Sequence, residues 1–273
     1  MPTEFAVICV LHGDPVLPAW LATLGPIVHL VLNDPGPGRY VALPAVREVW
    51  VNPEPLGFAA NVNAAIARVP DAVVVCVNFD LTMRAEVPGL LVEELVQDPR
   101  LAVVAPVLRD ARGELAFSVG SGPTALKEFT RAAGLRSGRP QRVVRAVLRR
   151  LPRWQQRNEV ARVLGPQEYL PWTCVAVRRE AWEAVGPLDE QFEMYAEDLD
   201  WGRRAARAGW SAALVDVGTV IHTERATRSA RTDALYERSH ALFHAKWDRP
   251  DHARWQRRGQ ALSRLLPRRD RLV

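Results

Sequence analysis

Lysine is almost missing from this chain of 273 residues: Lys127 and Lys246 are the only two, against 34 arginines. Neither follows a glycine, which excludes a Walker-type phosphate loop and leaves a covalent lysine mechanism only two candidates. Cysteine is scarce as well. Cys9, Cys76 and Cys174 are odd in number, far apart, set in or beside apolar stretches, and form no Cys-x-x-Cys, the usage of buried reduced thiols in a reducing compartment. Met1-Pro2-Thr3-Glu4 lacks the basic-then-apolar order of a signal peptide, so a cytoplasmic location is expected. The uncharged stretch from Pro15 to Asn33 is cut by Gly25-Pro26 and carries His29, so it reads as a helix followed by a buried strand rather than a membrane span. Gly36-Pro37-Gly38 makes a poor dinucleotide fingerprint, because proline removes an amide that would face phosphate. The chain has no internal repeat and no low-complexity tract.

What is present is enough to build a core: 48% of residues are hydrophobic and 25% charged. The formal net charge of +5 is unevenly placed. Arg131 to Gly165 holds ten arginines and one acid, a net of +9, and Arg249 to Val273 holds eight arginines and two aspartates, a net of +6. The rest of the chain therefore carries −10, an acidic body with two basic patches.

The N-terminal half alternates in type. Phe5 to Leu11, Ile27 to Leu32, Val46 to Val51, Asp71 to Val77 and Leu101 to Leu108 read as strands. Leu17 to Leu24, Gly57 to Val69 and Val87 to Gln97 read as helices between them. Repeated β-α-β units with short connections predict a mostly parallel sheet covered by helices, with ligands beyond the carboxyl ends of its strands. Farther on, Tyr169 to Val177, Ala212 to Val217 and Val220-Ile221 read as strands, and Arg179 to Val185, Asp198 to Ala208 and Thr232 to Lys246 as helices.

Two clusters could carry chemistry. Asn78-Phe79-Asp80 ends the clearest strand and points an amide and a carboxylate the same way, which suits a hard divalent cation; a strand-terminating turn would use the same residue types. Glu193, Glu197, Asp198 and Asp200 lie within eight residues and open a helix. Capping accounts for some of them, and a carboxylate held at a helix start can also serve as a general base. His222 ends an apolar strand, a position compatible with a structural role or a ligand. His240 and His244 have i,i+4 spacing but no third ligand, the pattern of a solvated helix face.

Taken in order, Asn33-Asp34, Leu56-Gly57-Phe58-Ala59-Ala60-Asn61-Val62-Asn63, Asn78-Phe79-Asp80, Trp172-Thr173-Cys174, Arg178 to Glu190, Glu197-Asp198-Leu199-Asp200 and His222 resemble the family 2 glycosyltransferases, particularly their bacterial rhamnosyltransferase-like branch. The resemblance implies an α/β GT-A fold, a mostly parallel twisted sheet flanked by helices. It further implies a nucleotide-diphosphate sugar donor, a divalent metal (Mg2+ or Mn2+) and inverting transfer of rhamnose or another hexose to a hydroxyl of a cell-envelope glycan or lipid-linked acceptor. By position it implies that Asp34, Asn61, Asn78 and Asp80 bind the nucleotide sugar, that Asp80 and His222 hold the metal, that Asp198 is the base, and that Trp172 and Glu197 face the acceptor. Asn78 in place of an opening aspartate, Phe79 in its middle, Cys174 where relatives often have glycine, His12-Gly13-Asp14 after the first strand and Glu224-Arg225-Ala226 after the histidine depart from the pattern. A sugar nucleotidyltransferase would need a glycine-rich loop that His12-Gly13-Asp14-Pro15 does not resemble. A catalytically silent, membrane-associated scaffold would have no use for Asp80, Asp198 and His222 together.

The expected organisation is one GT-A domain over 1–248 with a basic helical insertion at about 124–166, followed by a basic tail over 249–273. Within the insertion, Val143, Val147, Leu148 and Leu151 share a helical face flanked by Arg142, Arg145 and Arg149, the pattern of a peripheral anchor on an anionic membrane. No recognisable nucleic-acid module accompanies the charge, so nucleic acid is not an expected partner.

Overall fold

In the computed structural model the described residues are 4–12, 18–33, 46–122, 161–165, 167–223 and 230–247, together with 129, 158, 159, 254, 255, 257–259, 261 and 262. Asp34, nearly all of the 124–166 insertion and most of the 249–273 tail lie outside them.

The strands are β1 (Phe5–His12), β2 (Val28–Asn33), β3 (Glu48–Asn52), β4 (Val73–Asn78), β5 (Leu81–Thr82), β6 (Leu101–Arg109), β7 (Gly120–Ser121), β8 (Arg162–Val163), β9 (Glu168–Tyr169), β10 (Cys174–Arg178) and β11 (Ser211–His222). The helices are α1 (Ala19–Ala22), α2 (Phe58–Arg68), α3 (Val87–Gln97), α4 (Arg179–Val185), α5 (Glu197–Arg207) and α6 (Ala230–Lys246). Among the described residues none is long and apolar enough to cross a membrane.

The main sheet runs β3-β2-β1-β4-β10-β6-β11-β5, with β8 added on β11. β3, β2, β1 and β4 are mutually parallel, as are β6 and β11. β10 lies between these two blocks and is antiparallel to both neighbours, so the largely parallel sheet is mixed at its centre. Strand alternation divides the core. Val7, Cys9, Leu11, Val73, Val75 and Val77 face the layer that includes α3, whereas Ala6, Ile8, Val74 and Cys76 face the layer of α2 and α4. All three cysteines are buried and free; burial pushes the Cys76 thiol up to about 12.

This topology gathers chemistry at one edge. The carboxyl ends of the parallel strands β3, β2, β1 and β4 lie along one end of the sheet, and β5, which follows β4 after a two-residue turn, pairs with the end of β11. His222 thereby stands in register with Leu81, next to Asp80.

Candidate active site

Asp80 sits in the turn after β4, where the apolar strand ends and its carboxylate leaves the core. It is buried, and its Oδ2 lies 3.2 Å from Nε2 of His222. Thr223 fixes the crossing: its amide and hydroxyl both donate to the Asp80 carbonyl, at 3.1 and 2.9 Å. A carboxylate oxygen and an imidazole nitrogen converging at a strand end fit a hard or borderline divalent cation. Among the described residues no group of three His, Cys, Asp or Glu side chains could complete its coordination, so such an ion would take its remaining ligands from a substrate or water. His240 and His244 lie on α6 as ring neighbours 6.4 Å apart and join no such group.

The second cluster opens α5 behind a strained turn. Tyr195 and Ala196 both have positive φ, 72° and 69°, a conformation that costs a non-glycine residue about 1–3 kcal/mol. Contacts hold them there. Phe192, Ala196 and Leu199 pack on Phe243 of α6, and Ser239 donates to the Met194 carbonyl at 2.7 Å. On the other side, the Phe58 amide of α2 donates to the Glu193 carbonyl at 2.9 Å. That approach admits no side chain at Gly57, whose Cβ would fall 2.6 Å from the same oxygen. Asn63 adds a double link, donating to the Leu188 carbonyl and accepting from its amide, each at 2.9 Å.

The turn delivers two carboxyls with different surroundings. Glu197 is buried, and its Oε2 has no hydrogen-bond partner among the described residues; burial, reinforced by the Asp198 charge, raises its carboxyl well above the usual range. Asp198 is half-buried, and burial pushes it up to about 7 even though the backbone amides of Leu199, Asp198 and Trp172 bias it downward. The Leu199 amide donates to its Oδ1 at 2.7 Å. Asp200, one turn into α5, is fully buried, paired with the cations of Arg204 and Lys246 and hydrogen-bonded by the Trp247 indole.

The two clusters are linked. The Asn78 amide donates to the Thr173 carbonyl at 2.9 Å, and the neighbouring Trp172 supplies an amide to Asp198. Asn78, Trp172, Phe58 and Val10 line one small cleft beside this link. The Trp172 indole is buried against Trp182 and Trp201, with ring centroids 5.8 and 5.4 Å away, so its backbone rather than its ring reaches Asp198. Asn61 is buried too. It donates to the Leu56 and Gly57 carbonyls and accepts from Asn52 at 2.6 Å, while Asn33 accepts from the Leu56 amide at 2.7 Å. These asparagines shape the turn that leads into α2, beside the position where Asp34 leaves β2. The sequence motifs contain Gly57, Asn63 and Asp189 but gave them no part in the site's frame, and Lys246 lies outside them. The one available signal was that Lys246 is among only two lysines.

No family model matches the chain. In sequence it is 27% identical to an N-acetylglucosaminyl-diphospho-decaprenol L-rhamnosyltransferase of Mycobacterium tuberculosis, over 75% of this chain and 69% of that protein. A shorter stretch, 27% of this chain and 6% of the relative, is 34% identical to the O-antigen biosynthesis protein RfbC of Myxococcus xanthus. In fold it is similar to a mannosyltransferase from Pyrobaculum calidifontis solved with GDP-Man and Mn2+, with a TM-score of 0.54 and 14% identity over 96% of this chain and 71% of that one. GalNAc-T7, solved with UDP, GalNAc and Mn2+, also gives a TM-score of 0.54, with 11% identity over 83% of this chain and 45% of that one. The fold is GT-A, as the sequence resemblance implied.

Proposed function

From the premise that the chain is a GT-A glycosyltransferase resembling the rhamnosyltransferase-like branch of family 2, we propose that it moves a hexose, rhamnose foremost, from a nucleotide-diphosphate donor to a hydroxyl of a cell-envelope glycan or lipid-linked acceptor, with inversion. The observation that carries this reading is the meeting of Asp80 and His222 at 3.2 Å beside the Asn78–Thr173 backbone link, with Asp198 held at the start of α5 by the Leu199 amide.

Glycosyl transfer passes through an oxocarbenium-like transition state while negative charge grows on the departing diphosphate. Asp80 and His222 would hold Mg2+ or Mn2+ there, and the bound ion would offset that charge. Asn78 and Asp34 would face the donor, and Asn61 would act on it through the Leu56–Gly57 turn it holds. Asp198 would take the proton from the acceptor hydroxyl as that oxygen attacks the anomeric carbon opposite the leaving group, a single displacement. Glu197 carries a carboxyl oxygen that the described residues leave unpartnered, suited to a hydrogen bond with the acceptor. Trp172 borders that side.

A panel of nucleotide-diphosphate sugars assayed with Mn2+ or Mg2+ and a lipid-linked acceptor tests the reading. Transfer from one donor supports it; no transfer and no donor binding across the panel would sink it. A base pushed up to about 7 also fixes the pH dependence. Since Asp198 must be ionised to accept a proton, kcat should rise with pH and level off above about 7, falling roughly tenfold per unit below it. A flat profile from pH 5 to 8 contradicts Asp198 as the base.

We extend the proposal to an anionic membrane surface. Phe129, from the insertion, meets Trp255, from the tail, edge to face at 5.8 Å, and exposed Arg254, Arg257 and Arg258 surround that contact. Phe129 and Trp255 thus join the two segments at one contact, and exposed Arg254, Arg257 and Arg258 would meet an anionic surface near a lipid-linked acceptor. Sedimentation with phosphatidylglycerol vesicles should deplete the wild-type protein and spare a variant in which Arg254, Arg257 and Arg258 are replaced by Glu. Equal depletion of both would remove this face from the account.

A further inference from the structure

We propose that Lys246, at the end of α6, is a positioning residue for Asp198: its ammonium ties together the two ends of the loop that presents the base. The inference rests on the reading of Asp198 given above. Lys246 Nζ donates to Asp189 Oδ2 at 2.7 Å and to Asp200 Oδ2 at 2.9 Å. Those acceptors bracket the segment that holds the left-handed Tyr195 and Ala196 and the carboxyls of Glu197 and Asp198.

Each end of the bracket is anchored independently. Asp189 Oδ1 accepts the Gln191 amide, and its carbonyl accepts that of Phe192, which starts the loop. Asp200, without solvent exposure, also accepts from Arg204 of its own helix and from Trp247 Nε1, both at 2.9 Å. Arg204 in turn donates to the carbonyls of Val185 and Pro187. Arg203 and Arg207 lie over Trp247, fastening the end of α6 to α5. Arg204 reaches the connection after α4 but not Asp189, so among the described contacts only Lys246 spans the loop from end to end.

The chemistry explains the choice of lysine. An ammonium has three donors that can diverge toward two carboxylates on different segments, whereas a guanidinium favours one planar, bidentate partner. A loop held in a costly backbone conformation needs such closure at its ends. Without it, Tyr195 and Ala196 can relax toward ordinary φ, and Asp198 leaves the Trp172 amide. A displacement on the order of 1 Å at a reacting group costs up to about 100-fold in rate.

Lys246→Met keeps the length and apolar stem of the side chain and removes the ammonium. Expected are a kcat lowered about 10- to 100-fold, a donor KM within about twofold of wild type, a melting temperature within a few degrees, and faster hydrogen exchange confined to the peptide around 190–199. Lys246→Cys followed by aminoethylation restores an amine at nearly the same reach, and should recover most of kcat; the three native cysteines are buried and spared. An unchanged kcat with unchanged exchange at 190–199 overturns the proposal. So does a kcat loss that travels with donor KM, melting temperature and exchange across the whole sheet. Wild-type protein that transfers no sugar refutes the functional reading instead, and the exchange pattern still decides whether Lys246 closes the loop.

Discussion

Replacing Asp198 by Asn is expected to lower transfer by two to four orders of magnitude while leaving donor binding within about twofold, the contribution of a positioned general base. In free energy this is about 3–5 kcal/mol of barrier. Asparagine keeps the size of the side chain and an oxygen for the Leu199 amide, so the turn before α5 has no steric reason to relax. What it removes is the ability to accept the acceptor's proton. Burial brings Asp198 to about 7, where a carboxylate is a stronger base than an exposed one and is about half ionised near neutral pH. Transfer by Asp198→Asn at near wild-type rate would reassign the base. Steady-state kcat and donor affinity by calorimetry read the two halves of the prediction separately.

The second large effect belongs to Asp80 and His222. Asp80→Ala is expected to weaken Mn2+-dependent binding of the donor's nucleoside diphosphate by about 100-fold, a loss of roughly the several kcal/mol that a charge-neutralising site supplies. His222→Ala should act in the same direction. Because the two side chains lie 3.2 Å apart and would share one ion, the double variant should lose much less than the sum of the two singles. Additive losses would mean that the residues act at separate points. Donor affinity indifferent to both substitutions would remove the metal from this pair.

Much of the frame was legible because local signals agreed with the tertiary outcome. The apolar runs of β1 and β4 are buried on both faces, and α3 and α4 occupy the ranges that their sequences predicted. Departures have local causes. Gly25-Pro26 opens a short 3-10 turn, so α1 stops at Ala22. The two strands expected around 212–221 are one strand, β11, which continues through Gly218 at φ +91 with a register shift between Val215 and Val220; the polar interruption resembled a break but is an irregularity within the strand. The central antiparallel β10 was hidden because strand direction has no local signature. It is decided by where the chain returns after the insertion.

The candidate site divides the same way. Asp80, Glu197, Asp198 and His222 stand at strand or helix ends, where polar residues interrupt apolar periodicity and so draw attention. That Asp80 and His222 meet follows from β5 pairing with β11, a contact between distant parts of the chain. Trp172 was expected to face the acceptor; its indole lies in a buried tryptophan cluster with Trp182 and Trp201, a packing role that the motif gave no sign of. Lys246 stood in the sequence only as one of two lysines. Its two ion pairs are long-range and leave no periodic trace.

The proposed single displacement, with Asp198 as base and Asp80–His222 on the diphosphate side, requires the acceptor oxygen to enter opposite the leaving group. The anomeric configuration of the first-formed product, read by proton NMR before it can mutarotate or be hydrolysed, tests this most directly. Single displacement with Asp198 as the base predicts a product inverted relative to the donor; a product that retains the donor's configuration would contradict it.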